Sequence, residues 1–76
     1  MAETLSVAQQ LTLQALAGGQ LAFTEVVSRM RERYEPGTLA ELHQRGLVSR
    51  TNVRGVMTYM LTATGRAALG LEVANG

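Results

Sequence analysis

The chain has no cysteine, no tryptophan, no lysine and no aspartate among its 76 residues. Without cysteine, disulfides, iron–sulfur clusters, thiolate zinc sites and a cysteine nucleophile are excluded. A single histidine, His43, cannot build a multi-histidine metal site within one chain. No apolar run approaches the ~20 residues that cross a bilayer, so no membrane partner is expected. The opening MAETLSVAQQ lacks the basic and apolar regions of a signal peptide, which points to a cytoplasmic protein. The glycines at 18, 19 and 65 do not sit in a strand–GxxxxGK–helix order, so no phosphate loop and no cofactor are expected.

What is present is globular. The hydrophobic share is 46% and the charged share 17%, too apolar for a disordered chain. The length suits one small domain, residues 1–76, with order expected over about 4–70. A deep cleft between domains is ruled out at this size. The formal charge is +1, yet six of the seven arginines lie between residues 29 and 54. All bases are arginine, the better donor to phosphate and to base edges. A basic middle points to an anionic partner, although Glu32, Glu35 and Glu41 share the segment.

The periodicity predicts a mostly α-helical chain with a small β-hairpin. From Thr4 to Ala17, Leu5, Val7, Ala8, Leu11, Ala15 and Leu16 fill one half of a helical wheel, with Leu13 a misfit on the polar side. Ser6 and Gln9 have capping-box spacing, with Thr4 a competing cap, and Gly18-Gly19 stops the helix. A second helix is expected from a Thr24 cap to Tyr34, with Val26, Val27, Met30 and Tyr34 as a narrow apolar stripe. Pro36-Gly37 breaks the chain. Thr38 and Glu41 repeat the capping-box spacing before a short helix that ends at Arg45-Gly46-Leu47, a Schellman pattern. The period then shortens. Leu47–Val53 and Val56–Leu61 read as strands joined through Asn52-Val-Arg-Gly55. Thr62 caps a last short helix, Ala63–Leu69, in which Gly65 is an unfavourable interior residue. Residues 71–76 are expected to fray.

Three helices, a two-stranded wing and a short C-terminal helix form the winged helix-turn-helix layout. Leu39-x-x-Leu42-x-x-x-Gly46-Leu47-Val48-x-Arg50 resembles the recognition-helix end and first wing strand of MarR- and PadR-like regulators. Tyr59-x-Leu61-Thr62-x-x-Gly65-Arg66-x-x-Leu69 resembles the second wing strand and the following helix in those families. The resemblance covers residues 4 to 70. It implies double-stranded DNA as partner, with the helix at 38–45 in the major groove and the wing at 50–55 on the neighbouring backbone or groove. On the short helix Leu39 and Leu42 face inward, which leaves Ala40, Glu41, His43, Gln44 and Arg45 for the groove. Gln44 suits adenine and Arg45 suits guanine or phosphate. Thr38 at the helix start suits a phosphate. Arg29, Arg33, Arg50, Asn52 and Arg54 complete the expected DNA-binding set, with arginine in the wing suited to phosphate or a narrow minor groove. One departure stands out. Glu35-Pro36-Gly37 occupies the place where those families have the first turn of the recognition helix, and Glu41 would repel phosphate unless it accepts from a cytosine amine.

No enzyme is expected. His43 has no serine or acid in a triad relation to it. Glu35 and Glu41 read as a surface charge and a cap residue, not as an acid–base pair. Tyr59 alternates with Met57 and Leu61, so it reads as core rather than as a base-stacking ring. The other expectation is a winged helix that docks on protein, such as a phage-type adaptor or inhibitor. Regulation of transcription is the use that DNA binding would serve, in a nucleoid-associated protein. A palindromic site would call for a homodimer, with Leu13 or the last helix as the contact surface.

Overall fold

The structure, a computed structural model, describes residues 5–70. Its elements are α1 (Val7–Leu16), a short strand β1 (Leu21–Ala22), α2 (Phe23–Met30), a 3-10 turn (Arg31–Arg33), α3 (Thr38–Gln44), β2 (Val48–Val53), β3 (Val56–Leu61) and α4 (Ala63–Ala68).

The start of α1 is the expected capping box. Ser6 Oγ accepts from the Gln9 N–H at 3.1 Å, and Gln9 Oε1 accepts from the Ser6 N–H at 2.9 Å. Thr4, the competing cap, lies outside the described residues. The buried face of α1 differs from the wheel. Val7 is 74% exposed, while Ala8, Gln9, Thr12, Leu13 and Leu16 are buried. Leu13 is therefore core, and it cannot serve as the dimer contact expected of it. The cause is that α1 packs on both α2 and α3, which turns its buried arc toward polar positions. Thr12 enters the core because its hydroxyl donates to the Ala8 carbonyl at 2.7 Å.

Helix α2 begins one residue before Thr24 and ends four before Tyr34. Leu21 and Ala22 are extended and pair with Tyr59 and Thr58, so the helix can only start after them. The Glu25 carboxylate then accepts from the Ala22 N–H at 2.9 Å, where a Thr24 cap had been expected. At the far end Arg31 adopts φ 56°, which breaks the α-helical ladder. Val26 and Met30 are buried as expected, and Tyr34 closes the turn by packing its ring edge-on to Phe23, centroids 6.0 Å apart.

Helix α3 buries Leu39 and Leu42. Its start departs from the Thr38–Glu41 capping box. Gly37, at φ 90°, takes the cap position, and Thr38 becomes the first helical residue, buried against the body. A left-handed residue after Pro36 suits glycine and leaves no extended cap for Thr38. The C-terminus is the Schellman arrangement. The Gly46 N–H donates to His43 O and the Leu47 N–H to Leu42 O, both at 3.0 Å, with Leu42 and Leu47 buried together. A seven-residue helix is not stable alone. Full burial of Leu42, worth about 1.5–3 kcal/mol, is part of what docks it.

Strands β2 and β3 pair from Val48–Leu61 out to Val53–Val56. Arg54 and Gly55 both have positive φ, 53° and 85°, so the two-residue link is a type I′ turn. Asn52 Oδ1 accepts the Gly55 N–H at 2.8 Å and braces it. The sheet has three strands, in the order β1-β3-β2, not the two expected. Thr62 caps α4 by accepting from the Gly65 N–H at 3.0 Å. Gly65 has a packing reason: a Cβ there would collide with the Leu47 carbonyl. The fraying expected of residues 71–76 concerns residues outside those described. The core joins Leu13 and Leu16 of α1, Val26 and Met30 of α2, Leu39 and Leu42 of α3, and Val48, Tyr59 and Leu61 of the sheet.

Candidate nucleic-acid interface

The hairpin leaves the body of the molecule partway along its length. On β2, Val48 is buried, Ser49 half-buried, and Arg50 to Val53 exposed; on β3, exposure returns at Val56. The outer part is thus a wing carrying Arg50, Asn52 and Arg54. Side chains alternate between faces of a strand. Arg50 and Asn52 therefore share the face of Val48, Tyr59 and Leu61, the face turned to the helices. Val53 and Val56 form an exposed apolar pair on the opposite face, with Met60 further along it. Arg54 sits at the tip in a left-handed conformation that asparagine or glycine would adopt more easily.

On α3, Ala40, Glu41 and Gln44 are exposed and His43 is half-buried, as is Arg45, which caps the C-terminus of the helix. Thr38 is inside, and its N–H donates to Glu35 O at 3.2 Å. The hollow at the start of α3 is lined by residues 35–38 with Ala40, Glu41 and Gln44, Thr38 among them, so it carries two carboxylates and no base.

Glu41 of α3 and Arg45, which caps it, are tied to α1. Gln9 Nε2 donates to Glu41 Oε1 at 2.7 Å, and Arg45 Nη1 donates to Gln9 Oε1 at 3.1 Å. Gln9 is 6% exposed. Its separation from these partners, 32 and 36 residues, hides the link from any local reading; only its capping-box role with Ser6 was legible.

Arg29 and Arg33 are exposed but do not share one helical stripe, because α2 ends between them. With Arg31 they rim a cleft of about 470 Å³ whose other wall is Leu11, Gln14 and Ala15 of α1. Arg31, absent from the expected set, stands between them. This cleft shares no lining residue with the hollow at α3. Among the described residues, no three metal-ligating side chains converge.

No protein-family model matches the chain, and no curated protein sequence matches it. Solved structures do. The chain is similar to the crystal structure of ZitR from Lactococcus lactis, a zinc-responsive MarR family member, at 17% identity and a TM-score of 0.75, over 92% of this chain and 52% of that one. A C30AH42A mutant of ZitR gives 16% identity and a TM-score of 0.74, over 90% and 50%. The chain thus aligns with about half the length of each. With three helices, a projecting hairpin and this superposition, the chain has the winged helix-turn-helix fold that the MarR-family structure also has.

Proposed function

We propose that the chain binds double-stranded DNA and acts as a small regulator of transcription in the cytoplasm, at the nucleoid. The observation that carries this reading is the wing. Arg50, Asn52 and Arg54 stand exposed on a hairpin projecting beyond the core, the place from which a winged helix reaches a neighbouring groove or backbone. Arg54 is held at a strained turn position, and its guanidinium is the group best suited to phosphate or a narrow minor groove. In this reading α3 docks with Gln44 and Ala40 toward base edges and with His43 and Arg45 beside them. Glu41 keeps one oxygen on the Gln9 amide and offers the other to a cytosine amine. Thr38, being buried, supports the helix start rather than a phosphate. Arg29 and Arg33 contact backbone phosphate from the end of α2. No enzymatic role is assigned. A palindromic target would recruit two copies, with α4 as the remaining candidate contact.

A second reading is favoured by the carboxylates at the start of α3 and by the exposed Val53, Val56 and Met60 of the wing. A protein-docking winged helix would use that apolar face. Duplex affinity measured against salt separates the two. Contacts to Z phosphates give log–log slopes near about −0.9Z. An affinity that is absent at low salt, or flat with salt, would favour a protein partner.

A further inference from the structure

We infer that Gln9, on the first helix and outside the exposed faces, is a positioning residue for the DNA-facing side of α3. This rests on the DNA-binding reading. The amide of Gln9 is used at both ends. Its oxygen accepts from the Ser6 N–H at 2.9 Å and from Arg45 Nη1 at 3.1 Å; its nitrogen donates to Glu41 Oε1 at 2.7 Å. One buried side chain therefore caps α1 and grips Glu41 of α3 and its C-cap Arg45, one turn apart.

The chemistry suits an amide and little else. A carboxylate at position 9 would still accept from Ser6 and Arg45 but would face the Glu41 carboxylate with no proton to donate. An apolar side chain would satisfy neither partner. The donated bond occupies one oxygen of Glu41 and holds that carboxylate toward α1. The accepted bond helps hold the Arg45 guanidinium against α1. Both ties matter because α3 is only seven residues long and starts directly after the Pro36-Gly37 break, so little within the helix sets its pose. The residues that meet bases in this reading, Ala40, Glu41 and Gln44, lie on the same short segment and inherit its orientation. Gln9 would act on DNA without touching it.

Two variants separate positioning from plain stability. Gln9→Met keeps the size and neutrality of the side chain and removes every bond of its amide. Ser6→Ala breaks the same capping box from the other side and leaves the ties to Glu41 and Arg45 in place. Both lower the melting temperature. In the free proteins, Gln9→Met is expected to shift the amide resonances of Glu41 to Arg45, whereas Ser6→Ala confines its shifts to α1. On a duplex, Gln9→Met is expected to weaken binding about tenfold, within the range measured for residues coupled through one network, and Ser6→Ala less than about twofold. Unmoved α3 resonances in Gln9→Met, or equal affinity losses in the two variants, would overturn the inference. If the wild-type chain binds no duplex, the DNA-binding reading fails. The free-protein resonances still decide whether Gln9 sets α3, and unmoved ones would overturn that too.

Discussion

At the scale of single residues, two backbone positions carry opposite lessons. Gly65 sits inside α4, where an alanine would ordinarily gain about 1 kcal/mol of helix propensity. Here the Cβ would meet the Leu47 carbonyl, and backbone cannot step aside as a flexible side chain can. Gly65→Ala is therefore expected to destabilise the chain by about 1–3 kcal/mol, the usual cost of overpacking, as read by urea unfolding. A gain in stability would show that α4 can lift off the end of α3. Arg31 is the reverse case. It is exposed and held at φ 56°, ψ −127°, a region that costs a side-chain-bearing residue of order 1–3 kcal/mol. Glycine relieves that strain and gives back about 0.5–1 kcal/mol in unfolded-chain entropy. Arg31→Gly is thus expected to raise stability by about 1 kcal/mol, a rise of ~4–8 °C in Tm at this size. A fall in Tm would mean that the Arg31 side chain contributes more than its backbone costs.

At the scale of elements, the wing and α3 divide the proposed work. The wing carries charge on a rigid turn, and its arginines are outside the core, so their loss leaves packing intact. Arg50→Ala with Arg54→Ala is expected to weaken duplex binding across sequences and to reduce the salt slope by about 1–2, with an unchanged melting temperature. An unaltered slope would remove the wing from the interface. These elements also differ in how far they can be read locally. The Schellman end of α3, the hairpin and the Thr62 cap follow from short-range patterns: Gly46 with Leu47, Asn52 with Gly55, Thr62 with Gly65. The misreadings arise where distant parts meet. Leu21 and Ala22 become a strand only because β3 offers a partner, and that strand moves the start of α2. Leu13 is buried because α2 and α3 both press on α1. Gln9, read as a cap on a polar face, is buried by residues more than thirty positions away. The exposure of Arg50, Asn52, Arg54, Ala40, Glu41 and Gln44, the residues proposed to face DNA, could be read from residue type and spacing. The buried residue that ties Glu41 and Arg45 to α1 could not.

At the scale of the whole molecule, the arrangement is a small helical body with one projecting hairpin, 37 × 25 × 20 Å along its principal axes. Its formal charge is close to neutral, +1, so overall attraction to DNA is weak and the distribution of arginines must do the steering. Five of the seven arginines fall in two places, the wing and the end of α2, while Arg45 closes α3 and Arg66 lies in α4; the carboxylates of Glu35 and Glu41 stand at the start of α3. That pattern gives DNA binding a definite signature: an affinity governed by few phosphate contacts, and a footprint that joins the wing to α3. The most direct measurement is an amide-shift titration with a random-sequence duplex at two salt concentrations. Shifts confined to Arg29–Arg33, Thr38–Arg45 and Arg50–Gly55 that fade as salt rises are the expected result. No shifts at the lower salt, or shifts centred on Val56 and Met60 that ignore salt, would contradict DNA as the partner.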